Sequence, residues 1–498
     1  MSRSHPSTPA PALVESLLVF SDVHLGSDLN DCTPNVTKRS ASIDRDLVLF
    51  LEHYRRQKPS GERWRIVIAG DFIDFIGMAI AVPEELSTAP NDEEREHGLG
   101  NASDHARLKL TRVAVRHADV FRELARFVGE GHALTIVHGN HDIEFHWDGV
   151  KEDFRVLLER HARSESSGAD TFATFDASAF QERIEFSPWF FYREGVAYIE
   201  HGHQYDPFCS TEHVMAPLSP LDPRRMTRNF TDVFLRYVVR PTLGMREHGH
   251  EHTGMLDYIT FAVRLGMGGL LRLGARFSVA VLELFRLRRE HFTEATQVLR
   301  REHERRVALL SEATRIGMDR LRALLSLQAP PLTRSVRGIL ASVLLDRLGV
   351  AAAALLALCV VALVGAYHGH ALYAGFLVLA AWGLFHRHLS TQRRVDPAEQ
   401  LVFKASQLAK LFPAAFVVMG HTHTPVHTPA GTATYINLGS WAEDEPSDPG
   451  GPDWAAPRAT RTHLVIRVHE ARAEAQLFTW ESGTGPRDYT VPESIEPT

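Results

Sequence analysis

Five short blocks of this chain carry Asp, Asn and His at spacings that suit a site for two metal ions. They are Asp22-Val23-His24, Gly70-Asp71-Phe72-Ile73-Asp74, Gly139-Asn140-His141-Asp142, His201-Gly202-His203 and Gly420-His421-Thr422-His423. Carboxylate oxygen, amide oxygen and imidazole nitrogen are the donors that borderline divalent metals take. Singly, such blocks read as turns, because Asp and Asn accept turn geometry and Gly-Asn favours left-handed backbone. Five in order are hard to explain that way.

The blocks need rigid supports, and the sequence supplies them. Each follows an apolar run that reads as a strand: Leu17-Leu18-Val19-Phe20, Ile66-Val67-Ile68, Leu134-Thr135-Ile136-Val137, Val196-Ala197-Tyr198-Ile199 and Ala415-Phe416-Val417-Val418. Strand ends deliver side chains to one edge of a sheet with little conformational freedom.

In order and type the blocks resemble the calcineurin-like metallophosphoesterase family, whose pattern is D-x-H, G-D-x-x-D, G-N-H-D/E, a histidine block and G-H-x-H. The resemblance covers roughly residues 13–206 and 400–480. It implies an α/β fold, a four-layer α/β/β/α sandwich with metals at the strand ends. It also implies one metal on Asp22, His24, Asp71 and His423, and a second on Asp71, Asn140, His201 and His421, with Asp71 shared. The expected cofactors are two divalent ions drawn from manganese, iron, zinc or nickel, manganese favoured. A hydroxide between them would attack phosphorus. His141 is the family's catalytic histidine, and Asp142 is expected to orient it or hold it protonated. Asp74 reads as structural, capping a helix or bonding a ligand histidine. His203 competes with His201, and the strand-end position favours His201.

Ser21 to Gly26 and the stretch Tyr435-Ile436-Asn437-Leu438-Gly439-Ser440-Trp441 resemble the UDP-diacylglucosamine pyrophosphatases. The chain departs from that group at His141, where those enzymes carry arginine. The expected activity is therefore phosphoester hydrolysis, with a nucleotide-lipid pyrophosphatase as the alternative. A non-catalytic membrane scaffold on the same fold is the alternative of another class. The expected substrate is a phosphoester, a lipid-linked one included.

The chain has 498 residues, enough for two or three domains. Its net charge of −7 argues against general nucleic-acid binding. Cys32, Cys209 and Cys359 show no C-x-x-C spacing, which favours a reducing compartment. Residues 1–12 are expected to be disordered, and no export signal precedes the first strand, which puts the catalytic part in the cytoplasm.

His201 and His421 are 220 positions apart, too far for an ordinary connection. The catalytic domain is therefore expected to be split, 13–206 and 399–490, around a helical insertion. Residues 207–335 form its Arg-rich amphipathic part. Between 221 and 320 there are 18 Arg, no Lys and 12 acidic residues. That local balance of +6 predicts a partner that the rest of the chain does not share. The segment 260–289 suits a helix at a lipid interface or one packed on protein. His248, His250 and His252 read as a solvated loop. Residues 336–390 are expected to hold a transmembrane hairpin, built on the uncharged stretches 348–367 and 371–385. Arg334, Arg337 and Arg347 precede it, and Arg387, Arg393 and Arg394 follow it. The positive-inside rule then places both ends in the cytoplasm.

Overall fold

The computed structural model describes residues 14–34, 39, 41–57, 62–166, 175–245, 255–342, 345–368, 371–391, 397–442, 461–469 and 472–490. The expectations for residues 1–12, for His248, His250 and His252, and for Arg393 and Arg394 lie outside them. The fold is mixed α/β, with two mixed sheets and fourteen α-helices among the described residues.

The strands are β1 (Val14–Phe20), β2 (Glu62–Ala69), β3 (Ala133–Val137), β4 (Ile184–Ser187), β5 (Phe190–Arg193), β6 (Ala197–Glu200), β7 (Phe416–Met419), β8 (Val426–Ala430), β9 (Ala433–Asn437), β10 (Thr462–His469), β11 (Arg472–Glu481) and β12 (Gly485–Asp488). The first sheet runs β12-β11-β10-β1-β2-β3-β4 and the second β5-β6-β7-β9-β8. At their centres β1, β2 and β3 are parallel, as are β6, β7 and β9. Each sheet draws strands from both sides of the insertion: β1 pairs with β10, and β6 with β7. The two halves expected from the sequence thus form one unit.

Alternation along the strands explains the layering. Leu17, Val19, Val67, Ala69 and Val137 of the first sheet share one buried cluster with Ala197, Ile199, Val418 and Ile436 of the second. The intervening residues point the other way. Leu18, Phe20, Ile66 and Ile68 pack with Leu47, Phe50 and Leu51 of the helix Ala41–Arg56 and Phe121 and Leu124 of the helix Ala118–Gly129. Tyr198, Val417, Met419 and Tyr435 pack with Leu401, Ala405 and Leu408 of the helix Pro397–Leu411. A strand buried on both faces needs an unbroken apolar run, which is how these strands read in the sequence.

The insertion is not a separate module. Val307, Leu321 and Leu324, from the helices Glu294–Thr314 and Met318–Leu327, join the cluster on the outer face of the second sheet. Three of its arginines pair with acids of the first half. Arg225 Nη2 lies 2.7 Å from Glu94 Oε2 and Arg228 Nη2 2.8 Å from Glu93 Oε2. Arg236 also pairs with Glu93. The positive excess that predicted an outside partner is spent, at these positions, on acids of the first half.

The segment expected at a lipid interface forms the end of a helix, Met255–Glu290, broken at Gly266 with φ 63°. Leu273, Phe277, Ala280, Leu284 and Leu287 form an inner stripe packed with Val233, Tyr237, Val238 and Ile339. Met267, Leu270, Leu271, Val279 and Leu282 face outward. The inner face is packed on protein and the outer face is exposed. Among the described residues Arg264–Glu290 is the one helix long and apolar enough to cross a membrane, and Gly349–Val364 is a shorter apolar one. The expected hairpin is present as two helices, Leu345–His368 and Ala371–Thr391, packed on each other. Leu355, Leu356, Val360, Leu363, Leu372, Phe376, Leu379, Leu384 and Phe385 are exposed on it.

Candidate metal centre

The donors stand where parallel strands end. Asp22 and His24 follow β1, Asp71 follows β2, and Asn140 and His141 follow β3. His201 follows β6, and His421 and His423 follow β7. Because β1, β2 and β3 run the same way, as do β6 and β7, their exits share one edge of the two-sheet core.

All the expected ligands are brought together there. His201 Nε2 lies 3.0 Å from Asn140 Oδ1 and 3.1 Å from Asp71 Oδ2. His24 Nε2 lies 3.8 Å from Asp71 Oδ2, and His423 Nε2 3.2 Å from Asp22 Oδ1. His421 donates its backbone N–H to the Asp22 carboxylate at 3.3 Å, and its ring centroid lies 5.3 Å from that of His201. Donor atoms converge within 4.8 Å in the groups Asp22/His24/His423, His24/Asp71/His141 and Asp22/Asp71/His201. Ligands held about 2.0–2.2 Å from one ion stand about 3–4.4 Å apart, so the spacing fits. These buried His and Asp groupings could hold a metal ion. His201, not His203, is in the cluster; the His203 ring turns to Gln204, with Nε2 2.9 Å from its side-chain nitrogen.

The backbone is shaped around these side chains. Asp22, His24, Asp71, His421 and His423 all have φ between 50° and 71°. Left-handed backbone in non-glycine residues costs roughly 1–3 kcal/mol each and clusters at functional sites. Three glycines clear the space. A Cβ on Gly139 would meet Asp71 Oδ1 at 2.0 Å, one on Gly70 the His201 ring at 2.5 Å, and one on Gly420 Asp22 Oδ2 at 2.4 Å. These are the glycines of the G-D, G-N-H and G-H-x-H blocks.

Charge in the site is concentrated and buried. Burial works to raise Asp71, but the facing His201 and His141 hold its carboxyl well below the ordinary range. His201 is pushed up to about 9: burial opposes this and the Asp71 charge overcomes it. His24 falls to about 4 through burial and the neighbouring His141.

One expected role moves to a different residue. Asp142 does not orient His141. Its carboxylate accepts the backbone N–H groups of Gly139 at 2.6 Å and Phe72 at 2.8 Å, which ties the third block to the second. Burial and the Asp71 charge push Asp142 up to about 7. The partner of His141 is Asp74, with Nδ1 to Oδ1 at 2.7 Å. Asp74 sits three residues after Asp71, so the turn after β2 sends one carboxylate to the His–Asp cluster and one to His141. Arg240, from the insertion, approaches the other oxygen of Asp74 at 3.8 Å. Neither Arg240 nor Asp206, which lies 3.1 Å from His421 Nε2, was marked by any local pattern.

In comparison with known proteins, no family model matches the chain and no curated protein matches it. The functional reading rests on the motifs and on this geometry.

Proposed function

We propose that this chain is a two-metal phosphoester hydrolase of the calcineurin-like metallophosphoesterase type, held at the cytoplasmic face of a membrane by its helical hairpin. The observation that carries the reading is the convergence of Asp22, His24, Asp71, Asn140, His201, His421 and His423, from both halves of the chain, at the ends of parallel strands. The helix–sheet–sheet–helix layering is what that family predicts. Asp71 lies 3.1 Å from His201 and 3.8 Å from His24 through the same oxygen, which suits a carboxylate between two ions. Asp22, His24 and His423 suit one ion, and Asn140, His201 and His421 the other.

Asp22, His24, Asp71, Asn140, His201, His421 and His423 would hold divalent ions, manganese favoured, which when bound would supply positive charge for the phosphoryl oxygens and acidity for the attacking water. The chain's own residues do the rest. The strand ends and the three glycines preset the ligands, so little reorganisation accompanies reaction. His141 supplies a proton to the leaving oxygen or neutralises a phosphoryl oxygen. Asp74 accepts the Nδ1–H hydrogen bond, and donation to the leaving oxygen draws on the Nε2–H of the imidazolium form.

The membrane part of the proposal rests on the hairpin. Helices of 24 and 21 residues reach about 36 and 32 Å, against a hydrocarbon core of about 30 Å. Their outward side chains are apolar, and Arg337, Arg347 and Arg387 flank them. Since β1 pairs with β10 and β6 with β7, the chain must cross an even number of times. Arg264–Glu290 as a further span would make three, so it lies along the interface with its outer face toward lipid.

The test is to purify the full chain in detergent, load it with manganese, measure bound metal, and screen aryl phosphates, phosphodiesters, nucleotide pyrophosphates and phospholipids. About two ions per chain and metal-dependent release of phosphate or phosphomonoester is expected. No bound metal and no hydrolysis across the panel would overturn the proposal.

A further inference from the structure

We infer that Asp206 is a positioning residue for the metal centre: it fixes the tautomer and orientation of His421, so that one imidazole nitrogen carries the proton and the other is left for an ion. The inference rests on the two-metal reading above. His421 Nε2 lies 3.1 Å from Asp206 Oδ2. A carboxylate accepts, so Nε2 donates, and Nδ1 keeps the lone pair. A ligand histidine whose second nitrogen donates to a carboxylate is held in one tautomer and one ring orientation.

Asp206 is itself held in place. Its Oδ1 accepts the backbone N–H of Phe208 at 2.9 Å. Its carbonyl accepts the N–H groups of Cys209 at 3.1 Å and Ser210 at 2.8 Å. Its side chain is 13% exposed and that of His421 10%, so water competes little for the bond. The two residues are 215 positions apart. Asp206 stands where the chain leaves the first half for the insertion, and His421 where it has returned. The bond therefore joins the geometry of a ligand to the entry of the insertion. Asp206, Cys209 and His421 also offer donors within 4.8 Å of one another, so direct ligation by Asp206 is the competing outcome.

The experiment titrates the full chain in detergent with manganese by calorimetry, for wild type, Asp206→Asn and Asp206→Ala, with thermal unfolding as the check on folding. Long-range proton–nitrogen spectra of the same metal-free proteins, labelled at histidine nitrogen, read the His421 tautomer. Asp206→Ala should still bind two ions at saturation, with one affinity lowered 10–100-fold, and should lose the single Nε2-protonated form. Asp206→Asn keeps an acceptor oxygen and should fall between, with the tautomer retained. If Asp206→Ala does not fold, the Asp206→Asn affinity and tautomer decide. Unchanged affinity and tautomer would overturn the inference and leave the hydrolase reading standing. Binding of one ion only would make Asp206 a ligand and overturn it differently. A wild type that binds no manganese would overturn both.

Discussion

Nδ1 of His141 lies 2.7 Å from Oδ1 of Asp74, and both side chains are at most 5% exposed. A buried imidazole bonded in this way has one tautomer and one orientation. The backbone N–H of His141 is bonded to Asp71 Oδ1 at 2.8 Å, and its ring shares a donor group with His24 and Asp71. His141 thus contacts both Asp74 and Asp71, through its ring and its backbone.

The pair predicts a graded loss. His141→Ala should lower kcat by about 10²–10⁴, the usual contribution of a general acid or base, with bound metal unchanged. Asp74→Asn should lower kcat less, because the amide oxygen still accepts from Nδ1. Steady-state kinetics with metal analysis of each variant checks this. Loss of an ion from His141→Ala would make His141 a ligand.

Asp71 and Gly139 give a second prediction. Asp71→Asn should abolish turnover and release metal while the fold persists. Gly139→Ala should do the same from outside the ligand set, because its Cβ would sit 2.0 Å from Asp71 Oδ1. Circular dichroism and metal content, measured together, separate loss of site from loss of fold. Full metal occupancy in both variants would contradict the shared role of Asp71.

The buried contact between the insertion and the first half gives a third. Glu94 is fully buried and takes two hydrogen bonds from Arg225, at 2.9 and 2.7 Å. Arg225→Ala leaves that charge without its partner and should destabilise the protein by about 3–5 kcal/mol, measured by denaturant unfolding. Burial works to raise Glu94, but Arg225 and the Asn91 backbone hold it below its ordinary value. A depressed acid contributes stability that is fully present above its unfolded pKa and is lost as the pH falls through the folded one. Wild type should therefore lose more stability on acidification below the ordinary glutamate range than Arg225→Ala does. Parallel acid unfolding curves would show that the pair contributes nothing.

Attachment to membranes is the fourth. Cells expressing the full chain should yield it in the membrane fraction after a carbonate wash. A version with residues 336–390 replaced by a Gly/Ser linker should be released, or held only by the outer face of Arg264–Glu290 and freed by the wash. A full chain that stays in solution without detergent would make the hairpin a protein-packed element.

The residues that converge in the candidate site were legible because the blocks carry their Asp, Asn and His directly after the strands that place them. Partnerships between distant residues were not. Nothing in Gly139-Asn140-His141-Asp142 says that Asp142 will tie down backbone while Asp74, some seventy positions earlier, receives the imidazole. The alternation of Leu17 and Val19 against Leu18 and Phe20 is visible in the sequence, but not which layer each face meets. The pairing of Arg225, Arg228 and Arg236 was not legible because the acids they meet, Glu93 and Glu94, lie in a separate part of the chain.

The pairing of β6 with β7 across the insertion has a consequence for biosynthesis. At about 5–20 residues per second, the ribosome needs about 10–45 s to make the chain between them. Throughout that interval β6 has an unfilled edge, and β1 waits longer still for β10. The hairpin emerges before either partner, so under the membrane-bound proposal the growing chain reaches its anchor while its two-sheet unit is half built. Its open strand edges would then be held at a surface, away from other copies, until the last strands arrive to close them.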